Sequence, residues 1–400
     1  MALTRTTLVF GATGLLILAG ALFFRPSAQA DAPRVPRDDG ELLERLPSGR
    51  KDGAERERAA LRRELSARPA DVSAAVRLAR LDIETSRERS DPRYLGYAQA
   101  ALAPWWDLPS PPPEVLVLRA TIRQSVHDFD GALADLDQVT SARPDDAQAW
   151  ITRSVVLGVL GRYDEARTSC APLARLAPEL VLTVCETSLD ALTGSAAPAY
   201  DRLAAAIARA PGISAAERAW ATSTLGEIAQ RLGRDADAER AFQAALAIDP
   251  EDSYVRAAYA DLLLDLRRPA EAAKLAEGRT DNDNLLLRLA LAEKATGAPG
   301  ANDHAELLGA RYDASRLRGD TVHRREEARF ALGIRADAPA ALALARANWG
   351  VQREPWDLRV LLEAALAAHD KQAAAPGLAF LQEHHLEDPR IAAVAARLRQ

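Results

Sequence analysis

The sequence predicts an all-α fold built from stacked helix–turn–helix units, and three observations support this. A pattern of small, large and turn residues recurs about every 34 residues. Helix-forming residues dominate a chain that is 48% hydrophobic but only 5% aromatic. Valine and isoleucine are scattered, without the alternation typical of strands. Because one helical hairpin cannot cover its own apolar face, the hairpins are expected to stack into a right-handed solenoid.

The clearest unit covers residues 147–180. Trp150 opens its first helix, Gly161 lies in the turn, Ala166 and Cys170 stand one turn apart on the second helix, and Pro178 ends that helix. Small residues at such positions let paired helices approach closely. Equivalent positions in the other units are Leu116, Ala120, Ala132, Leu136 and Pro144, then Gly226, Ala238, Phe242, Ala245 and Pro250, then Tyr259, Ala260, Leu263 and Ala272.

This pattern resembles the tetratricopeptide repeat, with an early large residue, a small residue in the first helix, an Ala-x3-large second helix and a closing proline. The resemblance implies a tetratricopeptide-like array over residues 54–280, in a chain of the exported bacterial type. The register is lost after residue 280, and residues 281–400 are predicted to form divergent repeats with a final cap. Helices are predicted there at 282–296, 302–317, 322–332, 338–351, 356–368, 372–383 and 389–398, with Pro376 among the residues that punctuate them.

An N-terminal segment, a linker and three helices are predicted before the clearest repeats. Residues 1–30 are predicted to be a signal peptide or a membrane anchor, because Arg5 precedes an apolar run at 8–24 and the small-x-small sequence Ala28-Gln29-Ala30 follows. Residues 31–53, rich in proline and charge, are predicted to be a disordered linker. Pro69 separates the first two helices, and a third is predicted from Asp91-Pro92 to about Ala103.

The predicted location follows from this N-terminus. Export would place the repeats outside the cytoplasm. The preference for arginine over lysine suggests a GC-rich bacterial genome, so the periplasm is the expected compartment. An uncleaved inner-membrane anchor that leaves the repeats facing the periplasm is the alternative.

The first helix of each hairpin lines a concave groove in tetratricopeptide arrays, so one face of these helices is the predicted ligand site. The resemblance would imply lysine, arginine and asparagine side chains that clamp a terminal carboxylate, but this face carries none. A neutral or basic extended peptide, or another helix, is the expected ligand. We call these residues the groove set: Val117, Thr121, Gln124, Gln148, Ile151, Val155, Trp220, Ser223, Glu227, Gln230, Tyr254, Asp261 and Asp265.

The groove set is apolar toward its N-terminal half and acidic toward its C-terminal half. Trp220 and Tyr254 are its large aromatic members. Both are expected to contact the ligand without contributing to the packed core.

The sequence contains no Walker phosphate loop, nucleophile elbow, dinucleotide fingerprint or H-E-x-x-H motif. A scaffold or adaptor that binds proteins, without catalysis or cofactor, is therefore predicted. The formal charge of −6 and the lack of a basic stripe disfavour nucleic acid as a partner. The alternatives are an accessory subunit of an envelope assembly machine, of the cytochrome c maturation or polysaccharide export type, and a glycan-binding protein.

Two histidine-containing segments are interpreted as structural. His323-Arg324-Arg325-Glu326-Glu327 resembles an inverted zinc motif, but Glu327 stands where the second histidine is needed. Pairing of its charges along an exposed helix is expected instead. His384-His385 is expected at a solvated helix end, and no metal site is predicted.

Two tryptophan clusters admit two interpretations. Trp105-Trp106, beside a proline-rich segment, and Trp349 with Trp356 could form stacking platforms for a peptide or sugar. Burial against neighbouring helices is the favoured interpretation, because large aromatic side chains are mostly buried.

The chain has two cysteines, Cys170 and Cys185. If the chain folds back near Ala177-Pro178, they lie opposite each other on antiparallel helices. A disulfide is favoured in an oxidising compartment. The alternative is a pair of buried thiols that serve as small apolar residues.

Overall fold

A computed structural model describes residues 53–89, 91–210 and 212–400. These residues form helices joined by short turns, with no strand among them, and Ala54–Gln400 forms one compact unit. The predicted all-helical array is therefore confirmed for the described residues. The predicted signal peptide or anchor (1–30) and nearly all of the predicted linker (31–53) lie outside them.

Four helices precede the regular array. Pro69 separates the first two, as predicted, and Pro92 directly precedes the third. Trp105 and Trp106 lie within a short fourth helix, although the sequence predicted that helical structure would end before them. Trp105 is buried and Trp106 is half-buried, and both pack in the local core rather than forming an exposed platform. The four helices are α1 (Gly53–Ala67), α2 (Val72–Arg89), α3 (Arg93–Ala101) and α4 (Ala103–Trp106).

The central part of the chain is a run of helical hairpins whose neighbours stack in chain order. A Cβ built at Gly226 would lie 2.8 Å from Cε1 of Phe242. Glycine at this position therefore allows the two helices of that hairpin to pack closely. The hairpins are α5 (Pro113–Ser125) with α6 (Phe129–Ala142), α7 (Ala147–Val159) with α8 (Tyr163–Cys170) and the short α9 (Leu173–Leu176), α10 (Glu179–Asp190) with α11 (Ala196–Arg209), α12 (Ala215–Arg231) with α13 (Asp235–Ile248), and α14 (Ser253–Asp265) with α15 (Pro269–Ala276).

Hairpins continue to the C-terminus, close to the predicted ranges. Pro376 lies inside α21, which runs through it over nearly the predicted range of 372–383. The range predicted as one helix at 322–332 is instead an α-helix followed by a π-helical turn. The elements are α16 (Asp283–Thr296), α17 (Ala301–Leu317), α18 (Arg324–Phe330), the π turn (Ala331–Arg335), α19 (Ala338–Trp349), α20 (Pro355–Ala367), α21 (Lys371–Glu383) and α22 (Pro389–Arg399).

The C-terminal helices fold back onto the earlier hairpins. One core cluster contains Leu157 of α7, Leu361 of α20 and Phe380 of α21. The backbone N–H of Arg353 donates to the carbonyl oxygen of Val159 at 2.8 Å. These contacts join hairpins that are far apart in sequence, so the array is wound tightly rather than extended.

The turns inside hairpins need a residue in the left-handed region of backbone space. Glycine supplies it at Gly161, Gly233 and Gly297, but Arg267 holds φ at +60° in the turn between α14 and α15. A side chain with a Cβ is strained in this conformation, and glycine is not.

We predict that Arg267→Gly raises the free energy of unfolding by roughly 1 kcal/mol, because the exposed arginine is strained and glycine is not. Urea unfolding measures the change. Gly297→Ala is the opposite control: φ is +68° there and nothing lies within 4 Å of a built Cβ. A loss of similar size is expected for it, and equal stability of both variants with the parent would contradict the strain argument.

Candidate binding face

The structure places the groove set on the first helices α5, α7, α12 and α14, as predicted, but it does not leave all of it accessible. Val117 and Thr121 on α5 are 8% and 7% exposed, and Ser223 on α12 is 6% exposed. The hydroxyls of Thr121 and Ser223 donate to carbonyl oxygens of their own helices, at 2.9 Å each. The expectation that these residues line a free groove is therefore corrected, because first helices also pack against one another along this side.

Asp261, also placed in the groove set, is buried in an internal ion cluster. Its side chain is 2% exposed and lies between two guanidinium groups. Nη2 of Arg288 on α16 is 2.7 Å from Oδ2, and Nη2 of Arg329 on α18 is 2.6 Å from Oδ1. Burial alone would raise the pKa of Asp261, but the two arginines outweigh it and hold that pKa well below its usual value.

Asp265, one turn further along α14, binds arginines of two later helices, α20 and α22. Its carboxylate accepts two hydrogen bonds from Arg359 of α20, at 2.7 and 2.8 Å. Nε of Arg390 on α22 lies 3.0 Å from the same carboxylate. Another guanidinium nitrogen of Arg390 donates to the carbonyl oxygen of Gln230 at 3.1 Å. The acidic half of the predicted groove is thus occupied by basic helices of the same chain.

Sequence reasoning missed these arginines. A signal was present, because Arg329, Arg359 and Arg390 recur at intervals of about 30 residues. Each lies on the first helix of a successive C-terminal unit. That period shows a repeated basic position facing the groove even where the small-residue pattern is lost.

Trp220 also differs from its expected role. The side chain is half-buried and packs against two core clusters, including the one that contains the C-terminal helices. Trp220 therefore contributes to the core, because the chain folds back over α12.

The members of the groove set that keep an accessible side chain form what we call the open face. Tyr254 is 65% exposed and Val155 is 43% exposed, which is unusual for large apolar side chains in this array. Gln148 is exposed as well, and its amide donates to the hydroxyl of Thr152 at 3.1 Å. The open face consists of the exposed Gln148, Val155 and Tyr254 together with the half-buried Gln124, Ile151, Glu227 and Gln230.

Tyr254 lies in a concave, charged environment although it is exposed to solvent. Its hydroxyl donates a hydrogen bond to Oε1 of Glu227. The nearby Glu227 carboxylate, together with Glu354, raises the pKa of Tyr254 well above its usual value, while Arg325 opposes them. Since these charges come from α12, α18 and the start of α20, walls from several helices surround this tyrosine.

Opposite charges near Tyr254 already neutralise one another. Nη1 of Arg325 lies 2.8 Å from Oε2 of Glu354, and its Nε lies 2.9 Å from Oε1 of Glu326. Burial would raise the pKa of Glu326, but Arg325, Arg288 and Arg329 hold it at about 2. Burial, with Arg325 acting in the same direction, lowers the pKa of His127, which also faces this region. The wall opposite Tyr254 is thus a paired network rather than a free charge.

Each of the two histidine segments contains a side chain that is more buried than the sequence suggested. Glu326 and Glu327 on α18 are 6% and 3% exposed, so their charges pair in the interior and not along an exposed helix. His384 lies at the C-terminal end of α21 and His385 is exposed, as expected, but the ring of His384 is half-buried and packs edge-on against Tyr163 and Phe380. Burial lowers the pKa of His384. Within the described part of the chain, no group of three or more His, Cys, Asp or Glu side chains is placed to hold a metal.

The second tryptophan cluster also packs internally. Trp349 is 8% exposed and meets Phe380 edge-on, with ring centroids 5.2 Å apart. Trp356 is half-buried between two guanidinium groups, with Arg329 and Arg359 at 4.4 and 4.6 Å from its ring centroid. Trp356 therefore supports the interface between the C-terminal helices and α14, and Trp349 packs within the C-terminal core.

Cys170 and Cys185 form a disulfide, with their Cα atoms 5.9 Å apart. The bond links α8 to α10, and it is buried. The hydroxyl oxygen of Ser154 on α7 lies 3.3 Å from each sulfur. The disulfide thus joins consecutive hairpins beneath the open face.

None of the described helices is both long and apolar enough to cross a membrane.

No family model and no curated protein matches this chain. Among solved structures, the chain is similar to the human IFIT1 dimer with PPP-AAAA, at 12% identity, a TM-score of 0.46, and 83% of this chain and 95% of that chain covered. It is also similar to a tetratricopeptide repeat protein from Parabacteroides merdae, at 14% identity, a TM-score of 0.37, and coverage of 72% and 98%. It is similar as well to PilW, a type IV pilus biogenesis factor, at 14% identity and a TM-score of 0.34, with 70% of this chain and 97% of that chain covered. The tetratricopeptide-like arrangement itself is seen in the hairpins described above.

We predict that Asp261→Asn lowers the free energy of unfolding by about 3–5 kcal/mol at neutral pH, because two buried arginines lose their carboxylate. The folded-state pKa of Asp261 lies below its unfolded value, so the stabilisation is present above about pH 4 and is lost as the pH falls further. Urea unfolding across this range should show the difference between parent and variant shrinking toward acid pH.

Asp145→Asn is the control for that experiment, since Asp145 is exposed in a turn. It should leave stability nearly unchanged at every pH. A difference between Asp261→Asn and the parent that stays constant down to about pH 2 would contradict the assignment to ionisation.

Proposed function

We propose that this protein is an exported, non-enzymatic scaffold that binds a segment of a partner protein on the open face. The observation that carries the proposal is the exposure of Tyr254 and Val155 on first helices whose other large apolar side chains are covered. An aromatic side chain held in a concave wall is a common anchor for protein recognition. A peptide or a helix that presents apolar side chains fits this surface.

The charge of the surroundings refines the expected ligand. Asp261 and Asp265 already bind arginines of the same chain, so they no longer attract a basic partner. Glu227 remains on the open face, where its carboxylate accepts a hydrogen bond from the Tyr254 hydroxyl. The proposed ligand is therefore an uncharged, largely apolar segment; of the neutral or basic ligands that the sequence of the groove set favoured, the neutral kind is retained.

The proposed compartment is the periplasm. The N-terminal run of residues 8–24 favours export, and a disulfide between Cys170 and Cys185 is compatible with an oxidising compartment. A cytosolic protein of this type would be expected to keep both thiols reduced.

We predict that Tyr254→Ala weakens binding of a selected peptide at least about tenfold and leaves thermal stability nearly unchanged, because Tyr254 is 65% exposed. Peptides would be selected from a display library on the parent protein, and their affinities measured by calorimetry. Trp220→Ala should instead lower stability by about 2–4 kcal/mol, because Trp220 packs in the core.

Tyr97→Ala provides the matched control for the loss of an exposed tyrosine, since Tyr97 is 47% exposed on α3 outside the open face. Peptides that bind Tyr254→Ala and Tyr97→Ala equally well would overturn the assignment of the open face. Failure to select any peptide would count against the scaffold proposal itself.

We predict that protein isolated without reductant has no free thiol when it is denatured and titrated. Reduction should lower the free energy of unfolding by about 3 kcal/mol for a loop of 15 residues. The Cys170→Ala, Cys185→Ala double variant should not respond to reductant. Two free thiols in protein recovered from the periplasm would contradict the disulfide and remove its support for an oxidising compartment.

A further inference from the structure

A cavity of about 300 Å³ lies at the junction of α17, α18, the π turn and α19, away from the open face. Phe330, Ala331 and Leu344 give it an apolar wall, and Tyr312, Glu327 and Arg335 bring polar groups to it. Its size suits a small organic molecule rather than a protein segment.

The buried hydroxyl of Tyr312 is the first sign that this cavity takes a ligand. Tyr312 is 2% exposed, and within the described part of the chain its hydroxyl oxygen has no hydrogen-bond partner. Burial and nearby carboxylates raise the pKa of Tyr312 well above its usual value, so the group remains a protonated donor. A buried donor without an acceptor is unfavourable, and it becomes favourable when a ligand supplies the acceptor.

Arg335 is the second, independent sign. Arg335 is exposed, its guanidinium lies over the Phe330 ring at 5.0 Å from the centroid, and no carboxylate pairs with it among the described residues. A Cβ built at Gly309 would lie 2.8 Å from Nη2 of Arg335, so glycine leaves the room that this side chain occupies. Arg335 ends the π turn, and the following Ala336 has φ of +54°. Such irregular helical turns are frequent at functional sites.

The carboxylates that line the cavity are already engaged. Oε2 of Glu327 lies 2.8 Å from Nη1 of Arg316. Oδ1 of Asp337 caps α19 by accepting the backbone N–H of Ala340 at 3.0 Å. The cavity therefore offers two donors without a protein acceptor, Tyr312 and Arg335, while Oε2 of Glu327 and Oδ1 of Asp337 are engaged within the protein.

We propose that this cavity binds a small monocarboxylate with an apolar body. Its carboxylate accepts hydrogen bonds from the Arg335 guanidinium and the Tyr312 hydroxyl, which both flank Phe330. Tyr312 meets that ring edge-on with centroids 5.6 Å apart. The apolar body of the acid packs against Phe330, Ala331 and Leu344. Arginine suits this role because its planar donors match a carboxylate.

The test uses the full chain and acids of increasing length: butyrate, hexanoate and octanoate, with phenylacetate as an aromatic member. Calorimetry and thermal melts measure binding. At least one acid should bind saturably and raise the melting temperature, whereas hexanamide and hexylamine, which lack the carboxylate, should not. Tyr312→Phe and Arg335→Gln should each weaken binding about tenfold, the usual effect of losing one hydrogen bond to a charged group.

The stability of the unliganded chain shows whether the Tyr312 hydroxyl lacks a hydrogen-bond partner or makes a hydrogen bond within the protein. Tyr312→Phe should not lower the melting temperature of the unliganded chain, because no hydrogen bond is lost. Tyr259→Phe is the matched control and should lower it, because the Tyr259 hydroxyl donates to Glu239 at 2.6 Å. The proposal is overturned if no acid binds, if binding ignores both variants, or if Tyr312→Phe destabilises the unliganded chain as Tyr259→Phe does.

Discussion

The winding of this array depends on two carboxylates at the C-terminal end of α14. Asp261 binds Arg288 and Arg329, and Asp265 binds Arg359 and Arg390. These arginines lie on α16, α18, α20 and α22, the first helices of all the following units. In an open solenoid, a hairpin contacts only its immediate neighbours. Here one helix contacts every later unit, and this brings the C-terminal helices back over the earlier hairpins.

Ion pairs and apolar contacts have different roles in this closure. Buried pairs lose hydration, so they add less net stability than their short distances suggest. The favourable free energy comes mainly from the apolar cluster that joins Leu157 to Leu361 and Phe380. The pairs instead define which helices meet, because a shift of one turn would leave a buried carboxylate or guanidinium without its partner. Trp356, held between Arg329 and Arg359, fills the space beside them.

The features that depend on local sequence were predictable, and those that depend on distant contacts were not. Helix boundaries after residue 280 follow from caps and prolines, and the close approach at Gly226 follows from the repeat pattern. The prediction that Asp261 lies in an open groove was wrong. The sequence of a first helix puts the same residues on one face whether that face meets solvent or another part of the chain. Burial of α18 was missed for a related reason: its arginines and glutamates read as a solvated face, but their partners lie on other helices.

One face of α14 carries Tyr254 of the open face and also Asp261 and Asp265, which bind the C-terminal helices. This arrangement limits the chemistry that a partner can use. Tyr254 lies about two turns before Asp261, so a ligand on Tyr254 reaches the edge of the internal cover formed by α18 and α20. At that edge Arg325 and Glu354 are paired at 2.8 Å, and a charged ligand would have to compete with this pair. An apolar ligand would not, because it gains contact with Tyr254 and Val155 without displacing an ion pair. The ion pairs with the C-terminal helices thus neutralise Asp261 and Asp265, and apolar contact is the means of recognition that we propose for the open face.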